Sequence, residues 1–437
     1  MNVLLASVGG SPAPILHTIR SQKFDRIIFF TSQDTRATLN EEILPAIRKD
    51  PARSDLLYEE IVTPDPQDVC VCLETLLTDV HRILSKWRYH LKWPETVDFT
   101  GGTKAMSAAM AIASVRHPCR FLYVGSKSKG GRTKDGVGVV RDGMEQAVHE
   151  ENPWNRLAPE AILDAMNDFD SARFQAAQSA LADLKHRVDQ GKLRKLIVRL
   201  ESLTSGFYFW EIFDHKAAAH SVRKAHRELE PLIPDFGKRF QGLERVHHAL
   251  PALLKHLDDC VDQNLNKGWV VDLFANANRR AAEGRYEDAV ARCYAAVEKF
   301  AQLCLKENHG IETNKTRPEQ IPDQLRSEFI RRFLNDDHEN GALRYGLVAS
   351  LYLLKELGHE AGARFAEREK QFRSALNQRN RSILAHGTDA MKEKNFRRLF
   401  EESLRIADLR EADLVQFPQF GLLTAEDNRE PVEGISR

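Results

Sequence analysis

Along the first ~145 residues the hydrophobic pattern alternates between two periods. Short apolar runs at Val3–Ser7, Arg26–Thr31, Leu56–Thr63, Thr96–Thr100 and Cys119–Gly125 read as strands. Between them lie segments with helical spacing: the stretch ending near Gln22, then Glu41–Ile47, Gln67–His90 and an Ala/Met-rich run to about Val115. A basic loop, Lys127–Lys134, leads to Val137–Val140, which reads as an edge strand or hairpin. Strand–helix alternation predicts an α/β domain with a parallel sheet and helices on both faces.

After about Asn152 the pattern becomes helical, with one β-rich stretch near Phe207–Phe213. Helices are expected at Ala158–Leu184, Leu193–Leu203, Lys238–Cys260, Val270–Glu283, Tyr286–Glu307, Gln324–Leu334, Leu343–Leu357 and Ala361–His386. The last residues contain Pro and acidic side chains and read as a loosely held tail. The expected organisation is an α/β domain (1–150), a helical connecting region (151–267), an all-α C-terminal domain (268–410) and a tail (411–437).

Composition narrows the class. Of 437 residues, 42% are hydrophobic and 29% charged, which excludes wholesale disorder. Lys+Arg and Asp+Glu are both 63, so bulk charge does not draw the chain to nucleic acid, although a local basic groove remains open. No apolar run approaches the ~18–20 residues of a membrane span. The start, MNVLLASVGGS, lacks the basic region of a signal peptide. Six scattered cysteines form no CxxC pair. These features predict a soluble cytoplasmic protein with reduced thiols and no membrane partner.

Two turns follow strands one and four. The first is Ser7-Val8-Gly9-Gly10-Ser11-Pro12, and the second is Thr100-Gly101-Gly102-Thr103-Lys104. Glycine lets a backbone approach a ligand closely, and a helix start offers free N–H groups to an anion. Thr103 and Lys104 add a hydroxyl and a cation. Either turn alone is also an ordinary strand-to-helix turn with a Ser or Thr cap. Both would sit at the carboxyl edge of one sheet, where such folds bind ligands. Neither matches a dinucleotide fingerprint or a P-loop.

With these two elements the N-terminal region resembles the CARF domain, the CRISPR-associated Rossmann fold. The resemblance implies a Rossmann-like domain that senses cyclic oligoadenylate made by type III CRISPR complexes, in a pocket shared by two subunits. It places Gly9, Gly10, Ser11, Thr100, Gly101, Gly102, Thr103 and Lys104 around that ligand, with Lys127–Lys134 as a further contact.

The C-terminal region carries Arg379-Asn380-Arg381-Ser382-Ile383-Leu384-Ala385-His386-Gly387. Seven residues apart on a helix is a rotation about 20° short of two full turns, so Arg379 and His386 would share a face ~10 Å apart. Gly387 would cap the helix, and the dipole there favours a proton on the imidazole. A guanidinium beside a titratable imidazole suits RNA cleavage without metal: 2′-OH attack by base and acid, with charge on the phosphate stabilised. A two-fold dimer would bring two copies to one cleft. Arg379-Asn380-x5-His386 resembles the R-x4-6-H signature of HEPN ribonucleases, and Arg381-x4-His386 fits it as well. The resemblance implies Arg379 and His386 as catalytic residues, with Asn380 orienting groups in the site. Gly284 separates two helices upstream, as at the start of HEPN domains, and Tyr294 and Glu298 read as packing or helix-fixing residues.

Other clusters carry less. His215, His220, His247, His248 and His256 lack metal-ligand spacing, and Cys70 and Cys72 would face different ways on a helix. Trp210-Glu211 and Asp214-His215 read as structural. No metal or cofactor is expected.

CARF and HEPN resemblances in this order imply a homodimeric endoribonuclease of type III CRISPR antiviral defence. It would be activated allosterically by cyclic oligoadenylate, cut single-stranded RNA without metal and leave a 2′,3′-cyclic phosphate. Two other readings share these residues: a non-enzymatic nucleotide-sensing dimer, and a HEPN ribonuclease of a toxin–antitoxin or abortive-infection system.

Overall fold

The computed structural model describes residues 2–90, 92–126, 145–261, 265–333, 342–383 and 387–421. The chain divides into two compact units, residues 1–163 with 179–198, and residues 164–178 with 199–437.

In the first unit a six-stranded sheet is built on β1 (Val3–Ser7), whose side chains are all buried. On one side lie β2 (Arg26–Ser32) and β3 (Leu57–Thr63); on the other lie β4 (Thr96–Asp98), β5 (Arg120–Ser126) and β6 (Glu145–Glu151). The order is β3-β2-β1-β4-β5-β6, parallel throughout except for the antiparallel β5–β6 pair. Leu5 pairs with Ile28 and Val97, and Ala6 with Phe29 and Asp98. The strand order reverses between β1 and β4, which opens a crevice at their carboxyl ends.

Alternation along the strands sends side chains into two cores. Leu4, Ala6, Ile27 and Phe29 pack with Ile15 and Ile19 of α1 (Ala13–Ser21) and with Ile43 and Leu44, where a π-helical turn runs into α2 (Leu44–Arg48). Val3, Leu5, Ile28, Phe30 and Val97 pack with α3 (Val69–Lys86) and α4 (Lys104–Ser114). Helices therefore cover both faces, as the alternation predicted. Val137–Val140 and Lys127–Lys134 lie outside the described residues. Among the described residues the sixth strand is Glu145–Glu151, a polar segment that carries no strong strand pattern.

The remainder is helical: α5 (Trp154–Asp170), α6 (Phe174–Arg187), α7 (Lys192–Glu211), α8 (His215–Leu229), α9 (Ile233–Phe236), α10 (Gln241–Val261), α11 (Lys267–Ala282), α12 (Tyr286–His309), α13 (Asp323–Phe333), α14 (Leu347–Glu356), α15 (Glu360–Glu367), α16 (Glu369–Asn380) and α17 (Glu393–Ala407). Four expectations are corrected. The helix expected over Ala158–Leu184 breaks at Ala172, whose φ is 56°. The β-rich stretch near Phe207–Phe213 belongs largely to α7, because Leu200, Leu203, Phe207 and Trp210 recur at helical spacing and are buried. The helix expected over Ala361–His386 is two helices, and the second stops at Asn380. The chain after Glu411 is not loosely held up to Gly421. Phe420 is buried, its N–H donates to Asp170 Oδ1 at 2.7 Å, and the Phe417 ring lies 4.9 Å from Trp210.

Candidate functional site

The two glycine turns meet. A Cβ on Gly101 would stand 2.4 Å from the Ser7 carbonyl oxygen and 2.6 Å from the Gly9 nitrogen. A Cβ on Gly9 would stand 2.9 Å from the Gly102 nitrogen. Only glycines allow this backbone-on-backbone contact, and Gly102 adopts a left-handed φ of 78°. Ser7 Oγ donates to the Gly101 carbonyl at 2.7 Å and fastens one turn to the other.

Beneath the turns lies a fully buried carboxylate, Asp98, which the sequence reading missed. Its Oδ1 accepts from Thr100 N at 2.9 Å and Thr100 Oγ1 at 2.5 Å, and its Oδ2 accepts from Thr18 Oγ1 at 2.5 Å. Burial pushes this carboxyl above the ordinary carboxylate range, against hydrogen bonds that favour the ionised form. The signal was an acid inside the apolar run TVDFT, directly before Gly-Gly.

These contacts sort the predicted ligand residues. Thr100 is committed to Asp98, and its Oγ1 also accepts from Val124 N at 2.8 Å. Thr103 caps α4, accepting from Met106 N at 3.2 Å while donating to the Pro66 carbonyl. Gly10, Gly102 and Lys104 are exposed at the same edge, with Gly9, Ser11 and Gly101 half-buried beside them. Among the described residues the edge therefore offers backbone, a cation at a helix start, and room above Gly10, where an added Cβ would meet nothing within 4 Å.

In the second unit Arg379 occupies the last turn of α16. Its guanidinium carbon lies 4.3 Å from the centroid of the Tyr294 ring, and Nη1 donates to Asn380 Oδ1 at 3.2 Å. Arg381 is the C-cap of α16, so the chain leaves the helix there. Gly387 is not a helix cap. Its N–H donates to the Ser382 carbonyl at 3.0 Å, and Asp389 N donates to the Arg381 carbonyl at 3.0 Å. A Cβ on Gly387 would stand 2.0 Å from the Arg381 carbonyl oxygen, so glycine closes this loop. His386 itself lies outside the described residues. The helix expected to run on to His386 thus ends at Asn380, with Arg381 as its cap.

Tyr294, read from sequence as packing, is brought to Arg379. It also lines a cleft of about 670 Å³ together with Phe329, Arg332, Tyr352 and Arg373. Burial raises its phenol pKa, and its hydroxyl donates to Glu298 Oε1 at 3.4 Å.

The discounted clusters have structural partners. His215 Nε2 lies 2.6 Å from Asp272 Oδ2, and Trp210 Nε1 donates to Asp272 Oδ1 at 3.0 Å. Glu211 accepts from Asn276 at 2.8 Å and from Arg279 Nε at 2.9 Å. This buried polar ladder joins α7 and α8 to α11. Cys70 is exposed and Cys72 buried, as two positions on different faces of α3 require. Among the described residues no group of three or more His, Cys, Asp or Glu side chains is placed to hold a metal ion. No helix among them is long and apolar enough to cross a membrane.

A Rossmann-type sheet with a glycine-lined switch point, followed by helices carrying Arg-Asn at a helix end, defines the class. Comparison with known proteins places it further. Residues 260–409 match the family model of the Csm6 HEPN domain. Over 413 residues the chain is 26% identical to the CRISPR system endoribonuclease Csm6 of Thermus thermophilus, covering 90% of this chain and 82% of that protein. The solved structure of Enterococcus italicus Csm6 bound to cyclic hexa-2′-fluoro-hexa-dAMP matches with a TM-score of 0.60, covering 94% of this chain and 96% of that one at 12% identity. The resemblance to the CARF–HEPN proteins of type III CRISPR systems is borne out.

Proposed function

We propose that the chain is a cytoplasmic endoribonuclease of type III CRISPR defence, activated as a homodimer by cyclic oligoadenylate. The observation that carries this reading is the position of Arg379-Asn380-x5-His386 inside the segment that matches the Csm6 HEPN domain. The ligand in the E. italicus structure and the activity in the T. thermophilus protein's name support the two halves of the reading.

The ligand is held at the glycine edge by Gly9, Gly10, Ser11, Gly101, Gly102 and Lys104, while Thr100 and Thr103 hold the turns in shape. A ring with two-fold symmetry matches a two-fold dimer. Its stronger binding to one arrangement of the dimer shifts the population toward an active cleft. In that cleft one His386 takes the proton from a ribose 2′-OH as the oxygen attacks the adjacent phosphorus. The partner subunit's His386 protonates the departing 5′ oxygen. Arg379 stabilises charge on the non-bridging oxygens, and Asn380 orients it. The products are a 2′,3′-cyclic phosphate and a 5′-hydroxyl, and no metal takes part.

The test is cleavage of a fluorescent single-stranded RNA in EDTA, with no activator, with cyclic tetra-adenylate and with cyclic hexa-adenylate. The wild type is expected to cut only with one ring size, and His386→Ala to be inactive. Cleavage without ligand would remove the sensor half. Ligand binding without cleavage would leave a non-enzymatic sensor.

A further inference from the structure

We infer that Tyr294 is a positioning residue for Arg379: its ring holds the guanidinium in place while leaving the N–H donors free for a phosphate. This rests on the ribonuclease reading above. Arg364, Arg368, Arg373, Arg397 and Arg405, all on α15 to α17 or their caps, each have a carboxylate partner at 2.7–3.5 Å. Among the described residues no carboxylate lies within ion-pair distance of Arg379. It is held instead by the Tyr294 ring at 4.3 Å and by Asn380 Oδ1 at 3.2 Å.

The difference has a chemical consequence. A carboxylate partner occupies the donor edge of a guanidinium, the edge that pairs bidentately with phosphate. An aromatic ring contacts the guanidinium through its π-face, so it fixes the cation without occupying donors. Of the five N–H donors of Arg379, one goes to Asn380. The ring is itself held in place. Tyr294 is half-buried in the long helix α12, and its hydroxyl donates to Glu298 Oε1, one turn further along, at 3.4 Å. Glu298 thus reaches the phenol and not the guanidinium. The arrangement also separates Arg379 from Arg381, which is an exposed cap residue.

The test uses the full-length chain with activator and RNA, comparing Tyr294→Phe, Tyr294→Leu, Arg379→Ala and the double variant Tyr294→Leu/Arg379→Ala. Expected are near wild-type turnover for Tyr294→Phe and a fall in kcat of about tenfold or more for Tyr294→Leu, of the size a mispositioned group produces. KM and melting temperature should change little. The double variant should be no slower than Arg379→Ala alone, because the ring acts through that arginine. A second readout does not depend on cleavage. In protein with isotope-labelled arginine, one side-chain resonance shifted by the ring should vanish in Arg379→Ala, move in Tyr294→Leu and persist in Tyr294→Phe. Full turnover by Tyr294→Leu, or additive losses in the double variant, would overturn the inference while leaving the ribonuclease standing. An inactive wild type would overturn the ribonuclease reading and with it the catalytic role of the contact. A ring-shifted resonance unchanged in Tyr294→Leu would overturn the contact itself.

Discussion

The glycines of the two N-terminal turns have separable jobs. Gly9 and Gly101 answer to each other's turns: each lacks a side chain because the backbone of the opposite turn fills that space. Gly10 has open space around its Cα and no left-handed backbone. Gly101→Ala is therefore expected to destabilise the first unit by about 1–3 kcal/mol, the usual cost of overpacking. Gly10→Ala is expected to leave the melting curve unchanged and weaken cyclic oligoadenylate binding by about tenfold, because its methyl enters the space above the edge. Denaturant melts and a binding titration of the two variants check this. Equal ligand affinity for Gly10→Ala and wild type would remove Gly10 from the ligand site.

Among the elements, the end of α16 matters most. The sequence spacing of Arg379 and His386 suggested one helix face, yet the helix yields at Arg381 and the chain folds back through the Ser382–Gly387 and Arg381–Asp389 hydrogen bonds. Sequence periodicity cannot see this, because the loop is fixed by backbone closure and by one glycine whose neighbours are known only once the chain is folded. Gly387→Ala is expected to lower cleavage by about tenfold to a hundredfold, as misplacement of catalytic groups does, and to lower the melting temperature as the loop gives way. Activator binding should stay intact. Activity at the wild-type level would show that the loop tolerates a Cβ 2.0 Å from the Arg381 carbonyl oxygen, which the geometry forbids. Similar limits explain the other differences. The parallel strands and the cores on both faces were legible because apolar runs and glycine turns mark them. The strand at Glu145–Glu151 was not, since its residues are mostly polar. Asp98 was passed over, and Tyr294 read only as packing, because a lone acid in a strand and a lone Tyr on a helix acquire a role through distant partners, Thr18 and Arg379, 80 and 85 residues away.

At the scale of the whole molecule, half-buried histidines make stability depend on pH. Burial is the main cause that lowers the pKa of His117, His226, His256 and His359 below the ordinary histidine value. For His226 the neighbouring His247, stacked at 4.4 Å, adds to this. A group of this kind stays neutral in the fold longer than in the unfolded chain. As pH falls below about 6.5, the unfolded chain takes up more protons, so stability is complete above that value and is lost through the window down to the folded pKa values. Asp98, Asp170 and Glu283, raised chiefly by burial, act in the opposite sense, favouring the fold as acid is added through a window that opens at their raised folded values and closes at the ordinary carboxyl range. The two sets are separated by substitution. The melting temperature of the wild type is expected to fall between pH 7.5 and 5.5, and His256→Gln, which cannot charge, should fall less over the same interval. His256 is the informative choice because it stacks on Trp210 at 5.8 Å, beside the polar ladder of Asp272 and Glu211 that ties α7 to α11. Parallel pH profiles for the variant and the wild type would mean that the neutral imidazole at this position does not contribute to acid sensitivity.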